Sequence, residues 1–359
     1  MARAARDALS LDLVLMMVAS DPPHKKVAGS VPGTIRYRMT ALACEGEEKI
    51  IPCDLELTRT GKSYTSDTVL ELHRIYPDAE LFWIIGSDML QGFFSWHEPA
   101  SIARECSIAA VPRIGETDGD PEAKERFLSE FGKPVLSLPP SVPPMSSEGI
   151  RSRLMAGLPV SEFLHPSVER FCYEEGLYFS EDIRGMQERL RPMIKPSRYV
   201  HTCGCMIEAA YLASIWGGDP LKAQTAALLH DCAKSLDPVS LEVVSGDDSG
   251  IEPVLHAFAG AVFAQTKFGI RDQQILRAIR LHTTGDAGMQ LLDEILFLAD
   301  AAEPGRSYPC VETLRQKLTD GPEPSMLYAL TQSVLYIQKE NGTIHPGTLR
   351  AIEYFKQNQ

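Results

Sequence analysis

Along its first half the chain alternates between two spacings of apolar positions. Ala2, Ala5 and Leu9 recur at helical intervals, and Leu13 to Ala19 then runs unbroken. This predicts a helix, a turn at Ser10-Leu11-Asp12 and a buried strand. Gly33 to Cys44 predicts a second helix, and Ser66 to Tyr76 a third with Leu70 and Leu72 facing inward. Leu81 to Gly86 (LFWIIG) and Ser107 to Pro112 (SIAAVP) are short continuous apolar runs, as expected of parallel strands covered on both faces. The alternation predicts a doubly wound α/β sheet, whose ligands bind beyond the carboxyl ends of its strands.

From about residue 181 the strand signal stops. Helical spacing covers Arg198 to Trp216, Asp219 to Leu236, Glu252 to Gly269, Asp272 to Leu281 and Asp286 to Ala302, which predicts an all-α bundle. Asp219 before Pro220, and Asp286 before the last stretch, are expected helix caps. The boundary is expected in Phe179 to Arg184, giving domains 1–180 and 181–359.

Composition narrows the function classes. Apolar residues make up 44% of the 359 and charged residues 23%, as in ordinary globular domains. No apolar run approaches the roughly 18 residues that cross a bilayer. The opening MARAARDALSLDLVLMMVASDPPHKK has the basic start of a secretion signal. Asp7, Asp12 and the lack of a small-x-small cleavage pattern favour the interior of a folded domain instead. A net charge of -13 argues against broad binding to nucleic acid or anionic lipid and leaves room for local basic pockets. Eight cysteines without a signal read as reduced thiols in a cytoplasm. Cys203 and Cys205, one residue apart, read as small buried side chains.

The helical half carries His201, the pair His230-Asp231, His256, His282 and Asp300 on successive helices. Adjacent residues on a helix diverge by about 100°, so only a cation lying where helices cross takes both His230 and Asp231. Imidazole with carboxylate suits iron, manganese or zinc better than calcium or magnesium. A single buried histidine is more often simply hydrogen-bonded; the spaced set is not explained that way. In order, HTCGC at 201, LLHDCAK at 228, VLHAFAG at 254, RLHTTGDAG at 280 and FLADAAEPGR at 297 resemble the HD-domain symmetrical bis(5'-nucleosyl)-tetraphosphatases. That family hydrolyses diadenosine tetraphosphate to two ADP. The resemblance covers about 195 to 320 and implies two metal ions, iron in that family. His201, His230, Asp231 and Asp300 would surround one and His256 and His282 the other, with Asp231 bridging.

Around this set, Lys234 lies one turn after His230 and is expected to bind a phosphate, and Arg306 to clamp a distal one. The competing reading of both is surface salt bridging. Thr283, Thr284 and Gly285 are expected to donate hydroxyl and backbone hydrogen bonds. The chain departs from the family pattern at Ala257, usually Gly, and at Gly204, usually Arg, which removes a phosphate contact.

In the first half, DPPHKK at 21, GKSYTSDT at 61, WIIGSDML at 83, SWH at 95, VPR at 111 and SSEGIR at 146 resemble nicotinate-nucleotide adenylyltransferase over about 1 to 180. The resemblance implies joining ATP, with magnesium, and nicotinate mononucleotide to deamido-NAD and pyrophosphate. Tyr64, Thr65 and Trp96 would contact the nicotinate side, and His24 and Lys25 the phosphates. Gly86, Asp88 and Arg113 would form the adenylate site. Ser146, Ser147 and Arg151 would hold the triphosphate at a helix N-terminus, with Glu148 standing in place of the usual Thr.

The family's first strand and its Gly-x-Phe/Thr-x-Pro-x-His-x-Gly-His loop have no counterpart here. Adenylyl transfer is therefore expected to be impaired, because fixed positive groups at the phosphorus would be missing. Taken together, the chain is expected to be a cytoplasmic fusion enzyme of NAD synthesis and dinucleotide clearance, with nucleotides as its partners. A homo-oligomer stays open. Two alternatives compete: an HD phosphodiesterase for another nucleotide, such as a cyclic dinucleotide, and a first half that senses nucleotides without catalysis.

Overall fold

A computed structural model describes residues 1–19, 31–59, 61–114, 120–141, 145–247 and 249–357. By packing, the chain divides into Met1–Ser147 and Glu148–Gln359. The boundary expected at 179–184 thus falls inside the second unit. There α8 (Pro166–Glu174) supplies Tyr173, whose hydroxyl accepts from Gln224 at 2.7 Å.

The first unit alternates α1 (Ala2–Ala8), β1 (Val14–Met17), α2 (Gly33–Cys44), β2 (Ile50–Cys53), α3 (Thr65–Ile75) and β3 (Phe82–Gly86). It continues with α4 (Leu90–Phe93), α5 (Pro99–Glu105), β4 (Ser107–Val111), α6 (Pro121–Phe131) and β5 (Leu136–Ser137). The three strand pairings among the described residues are parallel. β1 pairs with β2 from Val14–Ile50 to Met17–Cys53, and β4 lies between β3 and β5 with Phe82 opposite Ser107. The two ladders are separate sheets, and a cavity of about 370 Å³ is lined by Leu13, Leu15 and Met17 on one side and Phe82 and Ile84 on the other.

β2 was invisible in the apolar pattern because Pro52, which lacks an N–H, interrupts IIPC. On α3 it is Val69 and Leu72 that are buried, while Leu70 is only half-buried. Phe93, Phe94, Phe127 and Phe131 pack ring on ring with Ile85, Ile102 and Ile108. They anchor the helices that follow the carboxyl ends of β3 and β4.

The second unit is helical. After α7 (Ser147–Met155), which straddles the division, and α8 come α9 (Glu181–Leu190), α10 (Pro196–Trp216), α11 (Pro220–Leu229), α12 (Pro238–Ser245) and α13 (Glu252–Thr266). Then follow α14 (Gln273–Leu281), α15 (Leu291–Ala302), α16 (Val311–Lys317), α17 (Pro322–Lys339) and α18 (Pro346–Gln357). Ala209, Ala210 and Ala213 of α10 and Ala223, Ala226 and Ala227 of α11 are fully buried, and such small side chains let backbones approach closely.

Two expected boundaries move. α11 ends at Leu229, and the next residues turn through bonds from Cys232 N–H to Leu229 and from Lys234 N–H to Asp231. That turn swings Asp231 off the helix axis. α15 starts at Leu291, where the side chains of Gln290 and Asp293 cap reciprocally. Asp286 instead holds Arg350 at 2.7 and 2.8 Å. Asp219 does cap α11, accepting from Leu221 and Lys222.

Candidate metal centre

Five helix segments and one turn bring these histidines and aspartates of the second unit together. His201, in the second turn of α10, places Nε2 3.1 Å from Asp300 Oδ1 at the end of α15, and Nδ1 3.1 Å from Glu303 Oε1. His230 and His282 close α11 and α14 by one device: Nδ1 bonds the carbonyl three residues back, Ala227 or Ile279, at 2.7 Å. The bond satisfies a carbonyl that the helix end leaves open and turns each Nε2 inward. His230 Nε2 then lies 3.4 Å from Asp231 Oδ2, and His282 Nε2 3.8 Å from Asp231 Oδ1. His256, on α13, approaches the same Oδ1 at 3.3 Å.

Burial makes these atoms costly as they stand. His230, Asp231 and His282 are at most 3% exposed. His230 Nε2, His282 Nε2 and Asp231 Oδ1 make no hydrogen bond, although buried polar groups ordinarily find a partner. Lone pairs of two imidazoles and a carboxylate facing one space are the donor set a divalent cation takes, so the residues fit one. Burial pushes the Asp231 carboxyl upward, but His230 and His282 outweigh it and hold it far below the usual range. At Asp300 burial is likewise outweighed, chiefly by the bond from His201. Burial, with His282 and Lys234 nearby, drives His256 down to about 3. It is a neutral imidazole, with a lone pair to offer.

Three cations rim the site. Arg198 Nη1 lies 2.9 Å from Asp231 Oδ2. Lys234 Nζ sits 3.0 Å from both ring nitrogens of His256; burial of its ammonium lowers its pKa even though much of the side chain stays exposed. Arg306 bonds the Asp300 carbonyl at 2.8 Å and the Asp300 carboxylate, so here it braces a candidate ligand. Thr283 and Thr284 keep buried, unbonded hydroxyls. Gly285 does not serve as the expected donor: its N–H is spent on the Leu281 carbonyl at 2.8 Å, and its φ of +63° fits a tight turn under Met289, Leu330 and Ala351.

In the first unit Gly86 and Val111 end β3 and β4 side by side, and Asp88 and Arg113 meet just beyond them at 3.1 Å. A Cβ at Gly86 would lie 2.5 Å from Asp88 Oδ1, so the glycine leaves room for that carboxylate in its present position. Tyr64 stacks on His97 at 4.2 Å with Thr65 beginning α3. Trp96 is half-buried against Phe93 at 5.1 Å. Ser147 opens α7, with Ser146 before it and Arg151 one turn on, while Glu148 is exposed. His24 and Lys25 lie outside the described residues.

Comparison with known proteins separates the halves. Residues 198–305 match the HD domain family, and 1–153 the cytidylyltransferase-like family. Over 167 residues the chain is 35% identical to the symmetrical bis(5'-nucleosyl)-tetraphosphatase of Halalkalibacterium halodurans, covering 45% of this chain and 89% of that one. Over 178 residues it is 38% identical to a probable nicotinate-nucleotide adenylyltransferase of Shouchella clausii, covering 49% of this chain and 86% of that one. The chain belongs to both families, one in each half. A solved Clostridium acetobutylicum protein, described as a predicted HD superfamily hydrolase involved in NAD metabolism, is 30% identical with a TM-score of 0.47, covering 50% of this chain and 99% of that one. By its family matches and these two curated relatives, this chain joins an HD-domain hydrolase to a nicotinate-nucleotide adenylyltransferase-like domain. HD domains bind divalent metal. No helix among the described residues is long and apolar enough to cross a membrane.

The HD domain also uses residues that the motif reading passed over. Arg198, Gly260 and Glu303 each lie three or four positions from a candidate ligand in the chain, so helical phase was the available signal. A Cβ on Gly260 would sit 3.0 Å from the His230 carbonyl; this glycine sets how closely α13 approaches α11. A Cβ on Gly204 would lie 2.3 Å from Glu303 Oε2. The glycine leaves room for the Glu303 carboxylate, whose other oxygen, Oε1, meets His201. Burial raises the Glu303 carboxyl, and the bonds from His201 and Gly305 more than reverse it.

Proposed function

We propose that the HD domain hydrolyses diadenosine tetraphosphate symmetrically to two ADP, with His201, His230, Asp231 and Asp300 holding one divalent cation and His256 and His282 the other. The reading is carried by Asp231, which turns Oδ1 toward His256 and His282 and Oδ2 toward His230, the posture of a bridge between two ions. The tetraphosphatase relative supplies the substrate class. When bound, two such ions, iron in this reading, supply Lewis acidity and a water acidic enough to attack phosphorus near neutral pH.

The rest falls to the protein. Glu303 fixes the His201 ring, and the bonds to Ala227 and Ile279 fix His230 and His282, so the Nε2 atoms converge without reorganisation. Arg198 and Lys234, at the rim beside Asp231 and His256, would take the non-reacting phosphate oxygens. Arg306 keeps Asp300 oriented. The Thr283 and Thr284 hydroxyls donate to the substrate or its leaving phosphate. In the adenylyltransferase-like domain, Gly86, Asp88 and Arg113 receive the adenylate of magnesium-bound ATP at the strand ends, and Tyr64, Thr65 and Trp96 the nicotinate mononucleotide. Ser146, Ser147 and Arg151 meet phosphates.

The test presents metal-loaded protein with diadenosine tetraphosphate, ATP and a cyclic dinucleotide. ADP from the first at the highest kcat/KM is expected. A preference for the cyclic dinucleotide, or no ADP, overturns the assignment.

A further inference from the structure

One thiol in the HD domain is placed as a ligand. Cys205 follows His201 by one turn of α10 and is fully buried. Its Sγ lies 3.5 Å from His201 Nε2, the nitrogen that faces Asp300 Oδ1 at 3.1 Å. Donor atoms of His201, Cys205, His230 and Asp300 all lie within 4.8 Å of one another, and His230 Nε2, unbonded and fully buried, faces Asp300 at 4.0 Å. Two ligands on a tetrahedral ion, at about 2.0–2.1 Å for nitrogen and about 2.3 Å for sulfur, stand roughly 3.6 Å apart. The spacing around His201 Nε2 is of that size. Cys203 and Cys232, also buried, lie outside this group.

We propose that Cys205 is a ligand of the ion held by His201, His230 and Asp300, making it a mixed nitrogen, oxygen and sulfur site. On binding, the S–H bond breaks, the proton passes to solvent and the thiolate pair forms the sulfur–metal bond. A thiolate biases the site toward zinc, iron or cobalt and away from magnesium and manganese. The proposal rests on the reading of this site as a metal centre and sharpens it.

The test adds cobalt(II) to the metal-stripped chain in which Cys44, Cys53 and Cys310, the three cysteines that are not fully buried, are changed to Ser. Bound cobalt shows visible d–d bands, and a sulfur ligand adds a near-ultraviolet charge-transfer band. The expected result is both, with the charge-transfer band lost in Cys205→Ser and kept in Cys203→Ser. Independently of how the variants fold, X-ray absorption of the zinc-loaded parent should show sulfur at about 2.3 Å, averaging half an atom per zinc when both ions are bound. Visible bands without the charge-transfer band, or a zinc shell of nitrogen and oxygen only, overturn the thiolate assignment and leave the metal centre standing. No bound cobalt at all overturns both.

Discussion

The two units build their sites by opposite means. In the HD domain, side chains from separate helices converge on buried space, with Asp231 Oδ1 and two histidine nitrogens left unbonded at its centre. In the adenylyltransferase-like domain, Gly86, Asp88 and Arg113 gather at adjacent strand ends, and Asp88 and Arg113 stay partly exposed and pair with each other. The first arrangement depends on which residue stands at each place, since only particular side chains, here imidazole, carboxylate and the proposed thiolate, ligate. The second depends more on backbone, because a strand end and a helix N-terminus offer N–H groups whatever the side chains.

Substitutions that strike side chains should therefore cost the helical site far more. Asp231→Asn removes the shared carboxylate, and loss of several kcal/mol of metal-supplied stabilisation corresponds to a fall in kcat on the order of 10³-fold. Retention of more than a tenth of the activity would break the contrast. Glu303→Ala leaves the His201 ring unheld and should weaken metal affinity by about 10–100-fold, as outer-shell partners do. Gly204→Ala should reproduce much of that loss by displacing the same carboxylate, and calorimetry of zinc binding compares the two. In the other domain, Arg113→Ala removes one charge-assisted contact and should weaken ATP binding about tenfold, read by equilibrium binding.

A further effect, on stability rather than on activity, lies away from both sites. Burial, with Glu323 and Asp293 nearby, raises Glu294 from 4.5 to about 7. The folded state therefore keeps a proton that the unfolded state releases, so stability falls as pH rises from about 4.5 to about 7. Glu294→Gln should flatten that fall by on the order of 2 kcal/mol, seen as a smaller drop in Tm between the two pH values.

The same contrast governs what was legible beforehand. The histidine and aspartate candidates of the helical half were readable because their residue types are those that ligate and each sits on, or directly after, a strongly periodic helix. Arg198, Gly260 and Glu303 were not, because they act through a ligand or a backbone rather than through a motif. Helix ends misled where local chemistry intervened: Asp286 looks like a cap but pairs with Arg350, and α11 breaks before the Asp231 turn. In the α/β half, β3, β4 and α2 stood out as apolar runs or periods. β5, with two residues, and β2, with its proline, are too short for any pattern. Gly285 shows the limit of motif position, since its N–H serves the turn.

The most direct test is the product set from diadenosine tetraphosphate with metal-loaded protein, resolved by chromatography. The account predicts two ADP per substrate, with turnover lost on chelation and restored by added divalent metal. ATP with AMP, or cleavage that persists without metal, would contradict it.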